Sequence, residues 1–175
     1  MVQRISVRRL CWTAMIAALY TALSLGSAAV GLGYGPIQLR ISELLCLLPF
    51  FYAPAAGGLF VGCILTNLLS PYGLPDVVAG SFATLLAACL SARCRSVWQA
   101  GIPPVLCNAG IVGAVLAWQQ AGGSGESFGI AWGVSALSVG AGEAVVCLGM
   151  GLPLCRWLEK RGLTERLRRL APQKQ

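Results

Sequence analysis

The 175-residue chain has no histidine, six carboxylates and only 11% charged residues. Without histidine there is no His-containing metal site and no imidazole to act as a general base. Soluble domains carry about 25% charged residues, so this chain has too little polarity to cover a water-facing surface. None of its eight cysteines forms a CxxC pair, and most fall within apolar runs, where a thiol packs as a small hydrophobe. No metal or other cofactor is expected. The GxxxxGK[ST] loop is also missing, which excludes ATP binding of the Walker kind.

Apolar residues are abundant: 57% of the chain is hydrophobic, 22 residues are glycine and the mean hydropathy is +0.73. The net charge of +7 comes from Arg4, Arg8 and Arg9, from Arg93 and Arg95, and from the stretch Arg156 to Lys174. Arg40 is the only cation between the first two clusters. Basic flanks around apolar blocks follow from anionic lipid and the positive-inside rule. They do not make a nucleic-acid face, so the bilayer is the expected partner and nucleic acid is not.

Pro, Gly and charge divide the chain into apolar segments at about 10–30, 41–52, 54–69, 75–92, 98–118 and 128–158, followed by a basic tail at 159–175. The first could pass for a signal peptide, but further apolar segments follow it, so it reads as a retained helix. The expected fold is all-α: one membrane domain over 1–175, a compact bundle of six transmembrane helices with both termini cytoplasmic. Only Arg40 then falls on the outer side, which requires an even number of crossings. A four-crossing arrangement with segments two and three re-entrant keeps the same parity. Those two segments are shorter than the ~20 residues of a perpendicular span, and abundant glycine lets short helices pack closely.

Three carboxylates lie within or at the mouths of apolar segments: Glu43, Asp76 and Glu143. A charge at the bilayer centre costs at least ~2.5–3.5 kcal/mol, so such groups face an interior cavity or a partner. Asp76 could instead serve a helix N-terminus, and Glu43 could pair with Arg40 a turn away. Glu143 has no cation near it in sequence. Gln38, Arg40, Asn67 and Asn108 complete the candidate polar set, with Ser42, Ser70, Ser135 and Ser138 around them. The two asparagines could join helices or read a ligand edge. Trp132, Tyr34 and Tyr72 suit an interfacial belt or a stacking surface. Ala14, Ala18 and Ala22 recur every fourth residue, giving one smooth helix face for a partner helix or for internal packing. An intramembrane enzyme is disfavoured, because the acids are far apart in sequence and histidine is missing.

The stretch GPIQLRISELL (35–45), then Leu48-Pro49, then Gly57 to Asn67 and DVVAGSFATLLAA (76–88) carry a family resemblance. In this order they resemble the QueT-type queuosine-precursor substrate-binding component of energy-coupling factor (ECF) transporters. The specific part is 35–88; beyond Cys89 the match is one of pattern. The resemblance implies a multi-pass protein of the cell membrane that captures a vitamin-like molecule from outside. It would then dock on a transmembrane coupling protein driven by two ATPase subunits. It also implies that the Ala14, Ala18, Ala22 stripe is the docking surface, and that the ligand is a 7-deazaguanine base or queuine. Gln38, Arg40, Glu43, Asn67, Asp76, Asn108, Trp132 and Glu143 are the candidate ligand contacts. Another vitamin, or a structural subunit with no ligand, remains the alternative.

Overall fold

A computed structural model describes residues 7–33, 38–121 and 128–170, and all regular structure among them is helical. Helix α1 spans Val7–Ala29, α2 Ala55–Asn67, α3 Leu74–Ser91, α4 Val97–Ala100 and α5 Ile102–Gln120. Next come α6 (Phe128–Ala144), α7 (Leu152–Lys160) and α8 (Leu163–Leu170). Proline places several starts, because a first-turn residue has no intrahelical N–H bond to lose. Pro54 precedes α2, Pro75 sits in the first turn of α3, and Pro103 and Pro104 open α5. Ser96 caps α4 by accepting from Gln99 N at 3.3 Å, while Gln99 Oε1 reaches back to Arg95 N at 3.2 Å. This reciprocal capping satisfies two donors that the helix cannot.

Three expected segments differ in detail. The second is a 3-10 helix, Ile41–Phe50, with Pro49 inside it. Three residues per turn eclipse positions i and i+3, which stacks Glu43, Cys46 and Pro49 in one buried column. The fifth breaks at Gly101 into α4 and α5. The sixth runs on from α6 to α7 through a wide π-helical stretch, Val145–Gly151. Pro153 follows it and lacks the N–H that would close the ordinary α bond.

Four helical stretches are long and apolar enough to cross a membrane: Val7–Ala29, Leu74–Ser91, Val97–Gln120 and Phe128–Lys160. The 3-10 helix and α2 are shorter, at 10 and 13 residues. Each rises ~20 Å, against ~30 Å of hydrocarbon.

Along the bundle α1 packs on α2, α2 on α3, α3 on α5 and α5 on α6, with the 3-10 helix touching α1, α2, α3 and the π stretch. Contact between α1 and α2 is backbone-close. A Cβ on Gly58 or Gly62 would lie 2.5 Å from Thr13 O or 2.8 Å from Ala17 O. Polarity is inverted relative to a soluble protein. Leu10, Met15, Leu68, Val78, Ile130 and Leu137 are exposed, whereas Glu43, Asp76, Asn67, Asn108 and Glu143 are buried. Soluble folds do the opposite with charge. At the far end of α7, Gly162 (φ 68°) turns the chain so that Leu167 of α8 packs back on the core and the Arg168 guanidinium lies 5.5 Å from the Phe51 ring centroid.

Candidate ligand-binding site

Four elements line a partly open polar chamber. Extended backbone before the 3-10 helix brings in Gln38 and Arg40, and the helix's first turn brings in Glu43. Gly80 and Thr84 come from α3, Asn108 and Val112 from α5, and Val139 and Glu143 from α6. Helical geometry makes this convergence possible: each pair is four residues apart and so shares a face.

The acids are held in two different ways. Arg40 donates from Nη1 to Asn67 Oδ1 at 3.0 Å and forms an ion pair from Nη2 to Asp76 Oδ2 at 3.4 Å. Asp76 Oδ2 also accepts from Ser70 Oγ at 2.6 Å, and Asn67 Nδ2 donates to the Asp76 carbonyl at 3.1 Å. The ion pair that chain spacing suggested, Arg40 with Glu43, gives way to a cross-helix pair with α3, because the extended residue 40 directs its side chain towards α2 and α3. Asp76 stands in the first turn of α3, as expected, but its side chain is engaged by Ser70 and Arg40.

Glu43 and Glu143 are held by neutral donors. Tyr20 on α1 donates its hydroxyl to Glu43 Oε1, and Cys46 Sγ lies 3.0 Å from Oε2. Asn108 Nδ2 donates to Glu143 Oε1 at 2.8 Å, and Cys147 Sγ lies 3.6 Å from Oε2. The chamber and its supports thus gather three carboxylates, all at most 7% exposed, around one guanidinium. That excess of carboxyl oxygens over cations suits a ligand bearing N–H donors or positive charge.

Free space inside is small. The cavity measures about 10 Å³. That is room for roughly one water, whereas sites for drug-sized ligands measure ~300–1,000 Å³. Any guest much larger than a water requires the lining side chains to separate.

Of the residues singled out in the sequence, Gln38, Arg40, Glu43, Asn108 and Glu143 line the chamber. Asn67 and Asp76 stand behind and grip Arg40. Trp132 lies apart: it is 44% exposed, and its Nε1 donates to Gly110 O at 3.1 Å. Tyr72 packs on the Val112–Leu116–Val139 cluster, and Tyr34 lies outside the described residues. Gly80, Thr84, Val112 and Val139 were not anticipated, although each lies four or eight residues from a flagged polar residue on its own helix. Tyr20 was also missed; it faces inward on α1 at 0% exposure. Ala14, Ala18 and Ala22 are exposed on the opposite face of α1, so they are not packed inside the bundle.

These features define a multi-pass helical membrane protein built around one polar chamber. Residues 10–160 match the family described as QueT transporter, and the chain belongs to that family. Over 73 residues it is 37% identical to the queuosine precursor transporter QueT of Lactococcus lactis subsp. cremoris (strain MG1363), a match covering 42% of this chain and 43% of that protein. The match therefore spans less than half of that relative's length. No solved structure matches the chain.

Proposed function

We propose that this protein is the substrate-binding membrane subunit of an ATP-driven micronutrient importer, capturing a queuosine precursor from outside. The carrying observation is that Glu43 and Glu143, from distant parts of the chain, face one chamber while bonded to neutral donors. A 7-deazaguanine base presents adjacent N–H donors on its pyrimidinone edge, which one carboxylate accepts in bidentate fashion. An aminomethyl substituent, cationic at neutral pH, engages the second. The name of the Lactococcus relative supports this ligand class.

Energy comes from partners, since the chain has no Walker loop. The bundle docks on an ECF coupling protein served by two ATPase subunits, presenting the exposed Ala14, Ala18 and Ala22 face. Six crossings of the cell membrane, with both ends cytoplasmic, place Arg93, Arg95 and the exposed cations of α7 and α8 on one side. The 3-10 helix and α2 then cross where the bilayer thins or the bundle shields them.

Binding of 7-aminomethyl-7-deazaguanine to purified full-length protein, followed by calorimetry, tests the proposal. Glu43→Gln and Glu143→Gln, measured separately, should each weaken binding by about 2–5 kcal/mol, or at least ~30-fold. Unchanged affinity in both variants would remove the site.

A further inference from the structure

We infer that Gln38 is the residue that reads a carbonyl on the ligand, and that Gly142 is the notch that seats it. The inference rests on the 7-deazaguanine reading above and adds a specificity-determining residue to it. Gln38 is 6% exposed and lines the chamber, yet its Nε2 has no hydrogen-bond partner among the described residues. Buried amides are almost always paired, so an unpaired one calls for an explanation. Tyr52 Oη and Ser81 Oγ are also unpaired, but neither residue lines the chamber. Arg40, Glu43, Asn108 and Glu143 already have protein partners. Gln38 therefore supplies an uncommitted donor, among the described residues, in a chamber rich in acceptors.

The backbone fixes that donor in place. A Cβ on Gly142 would lie 2.1 Å from the Gln38 carbonyl oxygen and 3.1 Å from its carbon, so only glycine lets this segment lie against α6. On the other side, Arg40 is tied to α2 and α3 through Asn67 and Asp76. Between the two, Leu39 N donates to Leu32 O at 2.9 Å. Residue 38 is thus held from both flanks, directly beside the helix that carries Glu143. An edge with two donors and a neighbouring acceptor complements a carboxylate beside an amide nitrogen. The pyrimidinone edge of a 7-deazaguanine has that pattern: N1–H and the 2-amino group donate, and the 6-oxo group accepts.

The test compares two probes on full-length purified protein: 7-aminomethyl-7-deazaguanine and its 6-thioxo counterpart. The thioxo compound keeps both donors and weakens the acceptor. The ratio of the two affinities, measured in wild type and in Gln38→Ala, isolates the contact. The wild-type preference for the oxo probe should shrink roughly fivefold in Gln38→Ala, the worth of one hydrogen bond. Gly142→Ala should shrink it too. Gly149→Ala should not, because a Cβ there meets nothing within 4 Å. The same preference in wild type and Gln38→Ala would overturn the assignment while leaving the ligand class intact. Failure of wild type to bind either probe would overturn the ligand class, and this assignment with it. If Gly142→Ala does not fold, the Gln38→Ala comparison decides alone.

Discussion

Two buried acidic clusters sit side by side in this bundle and differ in how they are completed. In one, Arg40, Asp76, Asn67 and Ser70 satisfy one another, and the charge is neutralised within the protein. In the other, Glu43 and Glu143 take hydrogen bonds from tyrosine, cysteine and asparagine, and an unpaired amide faces the same space. Burial is nearly equal, with Asp76 and Glu43 both at 1% exposure. Solvent exposure alone therefore does not separate Asp76 from Glu43. The difference lies in the partners: a guanidinium for Asp76, and tyrosine, asparagine and cysteine donors for Glu43 and Glu143.

The largest effect should come from opening the closed cluster. Arg40→Met leaves Asp76 buried without its counter-charge and should lower stability by about 3–5 kcal/mol, read by unfolding in detergent. Replacing both partners, with Arg40→Met and Asp76→Leu together, should restore much of that loss. If the double variant were as unstable as the single, the pair would not be the unit it is described as.

A smaller effect is expected in the open cluster. Tyr20→Phe removes a hydrogen bond to a carboxylate and should cost about 1.5–3 kcal/mol, divided between melting temperature and ligand affinity. Wild-type values for both would mean that Glu43 does not depend on α1. Smallest of all is Trp132→Phe, which loses one partly exposed hydrogen bond worth about 0.5–1.5 kcal/mol and should leave ligand binding unaltered. A tenfold loss of affinity in that variant would place Trp132 in the site after all.

How far the sequence revealed this follows the range of each interaction. Helix starts at Pro54, Pro75 and Ser96 are written in local residues, and apolar blocks between charges locate the main helices. The acids were legible because charge is conspicuous in such blocks. Their partners were not: Arg40 has Glu43 three residues away yet pairs with Asp76 on another helix, a choice made by packing. The 3-10 form of Ile41–Phe50 was hidden because hydrophobicity there does not separate a three-residue turn from a 3.6-residue one. Thr84, Val112 and Val139 could have been found by stepping four or eight residues from Asp76, Asn108 and Glu143 along their helices. Tyr20 gave no such signal, since an aromatic in a membrane helix is ordinarily packing.

The loosened turns at Val145–Gly151 set the bearing of everything after them. An α-helix advances ~100° per residue, so one additional residue accommodated there swings the rest of the chain by about that angle. Glu143 can then face the chamber while Leu152 and Cys155 still meet Leu47 and Phe51. With a uniform pitch, one of those two aims would be lost.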